Sequence, residues 1–325
     1  MRAPVQDRSV DRIGYFGKIP ARSDFVKLAP DAPAISMLDD WLAAVMQRLP
    51  SDARWKINYD AMAPVSFAFV GPARRHAVAG HLVASHDAPG RRYPFLMMRT
   101  LAVADPAAFV SRCPLAFAPL WSFLEAAAPL VVGASDPTLH LQGISDAAIT
   151  LGEADGALAA FLDTGTVGSL SHLLGGEDAS RVILALGLLL QPVMHSKPTQ
   201  LDKSLVLPLP EIEALRAPVA AFWLELVAPF VRRAAFDLAL FLTLQDEAPV
   251  LVIGFCGAAA QTLRGIIDPL VGGELQVRLL ETAWIDEQLG LDVDVRALAS
   301  YLDQPQLPLK MARELFLKTF IGDAT

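Results

Sequence analysis

Short apolar runs alternate with helical patterns along this chain, and that interleaving restricts it to a layered α/β architecture. The runs cover residues 65–69, 78–85, 93–98, 204–209, 236–244 and 250–255. In the first, Val65, Phe67 and Phe69 alternate as on a half-buried strand, whereas 93–98 is almost continuously apolar and calls for cover on both faces. Residues 12–19 read as an opening strand, which Pro20 ends by removing a ladder donor. Pro33 precedes a pattern in which Ile35, Leu38, Trp41, Leu42, Val45 and Leu49 recur at spacings of three and four, one face of a helix. Further helices are expected over 106–127, 145–161, 211–231, 258–270 and 307–320, and the polar turn 245–248 joins two strands. No repeat of fixed period is present.

Residues 129–145 carry Pro129, Gly133, Pro137 and Gly143 with few charges and read as a linker. It would divide the chain into one part over 10–135 and another over 146–325, which a length of 325 residues accommodates. Lys plus Arg number 27 against 35 Asp plus Glu, so the net charge of −8 disfavours nucleic acid and anionic lipid as partners. The composition is 53% hydrophobic and 19% charged, which excludes extensive disorder and leaves apolar surface for a protein partner. Residues 1–8 lack the apolar core of a signal peptide and read as the short leader of a cytoplasmic protein. No membrane span is expected, because 182–190 is too short and 236–255 is interrupted by Gln245, Asp246 and Glu247. Cys113 and Cys256, far apart in apolar company, read as buried free thiols.

Catalytic motifs are sparse. No Gly-x-x-x-x-Gly-Lys-Ser/Thr or Gly-x-Gly-x-x-Gly occurs, so no nucleotide cofactor is expected, and the glycine-rich 165–171 reads as a plain loop. No Gly-x-Ser-x-Gly elbow exists, and Ser85-His86-Asp87 are chain neighbours that cannot adopt triad geometry. The histidines at 76, 81, 86, 140, 172 and 195 lack metal-ligand spacing, and no metal or other cofactor is indicated.

What stands out is the segment 14–26, Gly-Tyr-Phe-Gly-Lys-Ile-Pro-Ala-Arg-Ser-Asp-Phe-Val. It is followed in order by Asp40-Trp41-Leu42, by Trp55 and Tyr59, by the run 63–69, and by Gly80-His81-Leu82 leading to Gly90-Arg91-Arg92-Tyr93-Pro94-Phe95. These ordered blocks resemble the TagF (ImpM-type) proteins associated with bacterial type VI secretion, with departures at Ser23, where glycine is expected, and at Ala77-Val78, where tryptophan is common. The resemblance implies a three-layer α-β-α sandwich with a mixed sheet for the first part, and the interleaved helices and short apolar runs after it read as a second α/β part. The resemblance also implies a non-enzymatic negative regulator that acts after translation by binding the forkhead-associated scaffold protein of that system.

Lys18, Arg22, Asp24, Arg91 and Arg92 are the candidate binding residues. They could form an ion-pair cluster in which Asp24 accepts a bidentate bond from an arginine and pins the loop after Pro20. Alternatively they contact a partner directly, or Arg91 and Arg92 hold an anion, although neighbours on an extended segment point to opposite faces. The competing functional reading is a hydrolase or small-ligand module assembled from distant residues such as Asp24, His81 and Ser85.

Overall fold

The structure, a computed structural model, describes residues 12–196 and 201–322, with 195 and 196 described by backbone alone. The expected leader and His195 lie outside the described side chains. Two strands open the chain, β1 (Gly14–Gly17) and β2 (Val26–Leu28), and helix α1 (Ala32–Arg48) follows. Asp31 caps α1 by accepting from Ala34 N at 3.0 Å, and the expected apolar face from Ile35 to Leu49 is buried. After α2 (Trp55–Asp60), an antiparallel meander is formed by β3 (Val65–Val70), β4 (His76–Val83) and β5 (Phe95–Ala102). All six residues of β3 are buried, so the expected half-buried strand is covered on both faces.

Helix α3 (Pro106–Gly133) then runs into the expected linker, and α4 (Thr138–Asp146) follows after a four-residue break at 134–137. Of the residues that suggested a break, Pro129 and Gly133 lie inside α3, which also contains Pro114 and Pro119, while Pro137 stands directly before α4. The single helix expected over 145–161 is instead an extended stretch followed by α5 (Asp155–Thr164). The expected loop at 165–171 is largely helix α6 (Val167–Leu173), started by a reciprocal capping box in which Thr166 Oγ1 accepts from Ser169 N and Ser169 Oγ accepts from Thr166 N. Next come α7 (Ala179–Ser196), β6 (Ser204–Pro208), α8 (Glu213–Ala234), β7 (Leu238–Gln245) and β8 (Ala248–Gly254). The turn between β7 and β8 places Asp246 and Glu247 at φ of 51° and 66°, the left-handed pair that matches hairpin twist. The chain ends with α9 (Ala260–Ile267), α10 (Pro269–Leu275), β9 (Gln276–Arg278), α11 (Ile285–Leu291), α12 (Val293–Leu302) and α13 (Leu309–Phe320).

All nine strands form one mixed sheet in the order β2-β1-β5-β4-β3-β7-β8-β6-β9, antiparallel except between β6 and β9. The two sequence parts therefore meet edge to edge, with Phe67 opposite Phe241 across β3 and β7. One face of the sheet, including Phe67, Phe69 and Phe241, packs under α1, α2 and α9. Trp41 of α1 sits on all three rings, at centroid distances of 5.9, 5.1 and 6.0 Å. The opposite face, including Ala68, Met97 and Leu240, packs under α3 and α8, and α4–α7 and α11–α13 contribute to the same core. By length and composition α3 and α8 could cross a membrane, yet both are bonded to the sheet backbone through buried tryptophans. Trp121 Nε1 donates to Phe67 O at 3.1 Å and Trp223 Nε1 to Pro208 O at 3.0 Å.

Candidate functional site

The charged residues of the opening segment gather where β1 passes β5. Gly17 sits there at φ 134°, and a Cβ on it would lie 2.0 Å from Pro94 O, so no larger residue fits between the two strands. This close approach carries Lys18 inward, only 8% exposed, where its Nζ lies 2.9 Å from Asp87 Oδ2. Asp87 has no exposed side-chain surface. It also accepts from Arg91 N and Arg91 Nε, each at 2.7 Å, so the loop 87–91 is closed around its carboxylate. Burial alone would raise the Asp87 pKa, but the bonds from Lys18 and from the Arg91 backbone and side chain outweigh it and hold the value at about 2. Two further bonds join this loop to the opening segment: Arg91 Nη2 donates to Ser23 O at 2.9 Å, and Ala88 N donates to Arg22 O at 2.8 Å.

The carboxylate that pins the loop after Pro20 is thus Asp87, and the expected role of Asp24 is corrected. Asp24 is exposed and its Oδ1 accepts from the neighbouring Phe25 N at 2.8 Å. Arg22 reaches instead to Asp136 Oδ1 at 3.0 Å, an exposed pair that ties the opening loop to the start of α4. Arg91 and Arg92 diverge as strand geometry requires: Arg92 forms a two-pronged bond with Asp60, through Nε and Nη2, at 2.7 and 2.5 Å. Both guanidiniums are engaged by carboxylates, which argues against an anion held between them. Over Lys18 lies an aromatic group in which Phe25, 42% exposed, stacks on Phe16 at 5.1 Å and meets Tyr93 edge-on at 5.0 Å. Lys18 Nζ is 5.1 Å from the Phe25 ring.

The residues weighed for a hydrolytic centre do not converge. His81 is 2% exposed, and its Nδ1 is paired with Ser66 Oγ at 2.9 Å; burial lowers its pKa to about 4. Ser85 lies four residues further on, roughly 13 Å away at strand rise, held by two bonds at 3.0 Å between its backbone and Tyr59 OH. It borders a cleft of about 470 Å3 with Asp60, His86, Gly90 and Arg92, whereas His81 lines a separate cavity of about 550 Å3 between α3 and α8. Asp24 borders neither. Among the described residues no group of three or more His, Cys, Asp or Glu is placed to hold a metal ion. Cys113 is buried and Cys256 partly so, both as free thiols.

Sequence reasoning noticed Asp87 only as a chain neighbour of Ser85 and His86 and missed it as the anchor. The available signal was an aspartate four residues before an arginine across a Pro-Gly turn, the spacing that lets one carboxylate receive both the backbone and the side chain of Arg91.

No curated protein matches the chain. Among solved structures it is similar to PA0076 from Pseudomonas aeruginosa PAO1, a crystal structure at 2.05 Å resolution, with 22% identity and a TM-score of 0.36. That match covers 43% of this chain and 65% of the other, so less than two thirds of PA0076 is spanned. A family match falls on the segment that contains Gly17, Lys18, Asp87 and Arg91: residues 14–147 match the TagF N-terminal domain, described as type VI secretion system-associated. The opening segment and the anchored loop therefore lie within the one stretch, residues 14–147, that matches this family domain.

Proposed function

We propose that this protein is a non-enzymatic accessory factor of type VI secretion, acting in the cytoplasm as a negative regulator after translation by binding the forkhead-associated scaffold protein. The observation that carries this reading is the division of labour in the opening segment. Lys18 and Asp87 are buried and fix the loop, while Asp24 and Phe25 are exposed on it and Arg91 keeps 62% of its side chain open to solvent. A rigid loop that presents an acid, an aromatic and a guanidinium suits recognition of a protein surface, since little ordering remains to be done on binding. The net charge of −8 favours a protein partner over nucleic acid. The parts over 10–135 and 146–325 would act as one body, with the first bearing the contact surface.

Co-purification of the full chain with the scaffold tests this. Wild type is expected to recover the scaffold, and Asp24→Arg to lose it while unfolding at the wild-type temperature. Failure of the wild-type chain to recover the scaffold from cells with an active secretion system would overturn the reading.

A further inference from the structure

The cavity between α3 and α8 is not part of the loop surface described above. It lies on the seam between the two sequence parts, with Ser66, His81 and Trp121 from the first and Leu209, Glu213 and Leu242 from the second. At about 550 Å3 it falls in the range of small-ligand sites, and a boundary between two parts of a chain is where such sites occur. His81 and Ser66 belong to the sheet beneath the two helices, and the imidazole Nε2 has no hydrogen-bond partner. A buried polar atom without a partner costs free energy unless something supplies one. Trp121 and Leu209 are buried apolar neighbours, and the Trp121 N–H is already engaged by Phe67 O.

Two exposed carboxylates, Glu125 and Glu213, border the same cavity, and among the described residues neither has an ion-pair or hydrogen-bond partner. Partial burial raises the Glu125 pKa and the neighbouring Glu213 charge raises it further, against an opposing effect of Arg216. Arg216 borders the cavity too, but its guanidinium donates to Pro210 O at 3.1 Å and Glu211 O at 3.2 Å rather than to either carboxylate. The rim therefore carries two acids against one cation. A positive group between Glu125 and Glu213 would relieve their repulsion, and a polar group on the same molecule could satisfy His81. With Nδ1 bonded to Ser66, Nε2 is either a donor or an acceptor according to tautomer, and a hydroxyl or amide serves both.

We propose that this cavity binds a small organic cation whose ammonium or guanidinium sits between Glu125 and Glu213 and whose other end carries a hydroxyl or amide that reaches His81. The stem between them lies along Trp121 and Leu209. Isothermal titration of the full chain with ω-amino alcohols of about four to eight carbons, a span chosen for a cavity of this class, tests the proposal. At least one is expected to bind saturably with Kd below about 1 mM. The ω-hydroxy carboxylate of equal length should not bind, and the plain alkylammonium should bind several-fold more weakly for want of one hydrogen bond. The pair Glu125→Gln and Glu213→Gln, both at exposed positions, should weaken binding at least tenfold with an unchanged unfolding temperature. No saturable binding by any of the amino alcohols, equal binding of the carboxylate, or undiminished binding by the double variant would each overturn the proposal.

Discussion

Lys18 Nζ lies 2.9 Å from Asp87 Oδ2 in a site that leaves the carboxylate no exposed surface, so the buried ammonium depends on that carboxylate for its compensation. Asp87→Ala strands a buried ammonium and should destabilise more than the combined Asp87→Ala and Lys18→Met variant, which removes both charges. A double-mutant cycle in urea reads the difference. Because the folded Asp87 titrates at about 2, below its ordinary 3.8, its contribution is complete above about pH 4 and is lost as the pH falls through 2.

The buried His81 likewise needs its deprotonated form, which here is the neutral one. Its folded pKa of about 4 lies below the ordinary 6.5, so between these values the unfolded chain binds the extra proton. Stability from this group is complete above about pH 6.5 and declines toward pH 4 by up to ~3 kcal/mol. Proton NMR should find one imidazole titrating near pH 4. A His81 titration above pH 6 would show that the ring is not desolvated as described.

Gly17 and Gly90 both have positive φ, but their surroundings differ. Gly17→Ala meets Pro94 O and should cost ~3 kcal/mol or more, through overpacking added to backbone strain. Gly90→Ala meets nothing within 4 Å and should cost only about 1–2 kcal/mol from its backbone conformation. Denaturant melts of the two variants rank them, and equal losses would contradict the strand crossing at Gly17.

Much of this was legible in the sequence because period and local chemistry carried it. The α1 face, the strands that form the meander and the polar turn between β7 and β8 all follow from patterns within a few residues. The anchor was not legible, since Asp24 is the nearest acid to Arg22 along the chain while Asp87 is the nearest to Lys18 in space. Distance along the chain says little once β1 lies beside β5. The helix α6 was missed because Thr166 and Ser169 cap each other at its start, although glycine and serine in a row read as loop. Proline misleads in part for a related reason: Pro129 reads as punctuation yet lies within α3, whereas Pro137 does stand in the break before α4.

The seam between β3 and β7 should behave as core. Phe241 is fully buried against Trp41 and Phe69, and Phe241→Ala should cost about 3–5 kcal/mol. A fragment ending at residue 135 leaves the whole edge of β3 unpaired and is expected to self-associate, as size-exclusion chromatography would detect. A monomeric, cooperatively folding fragment would show that β3 does not need β7.

That pairing also sets a schedule during synthesis. Some 170 residues separate the end of β3 from the start of β7, and at the usual pace of translation they take on the order of ten to thirty seconds to emerge. Throughout that interval the nascent chain holds an adhesive strand edge in a crowded cell. A chaperone that shields β3 until Leu238 appears would raise the yield of this protein more than one acting on the finished chain.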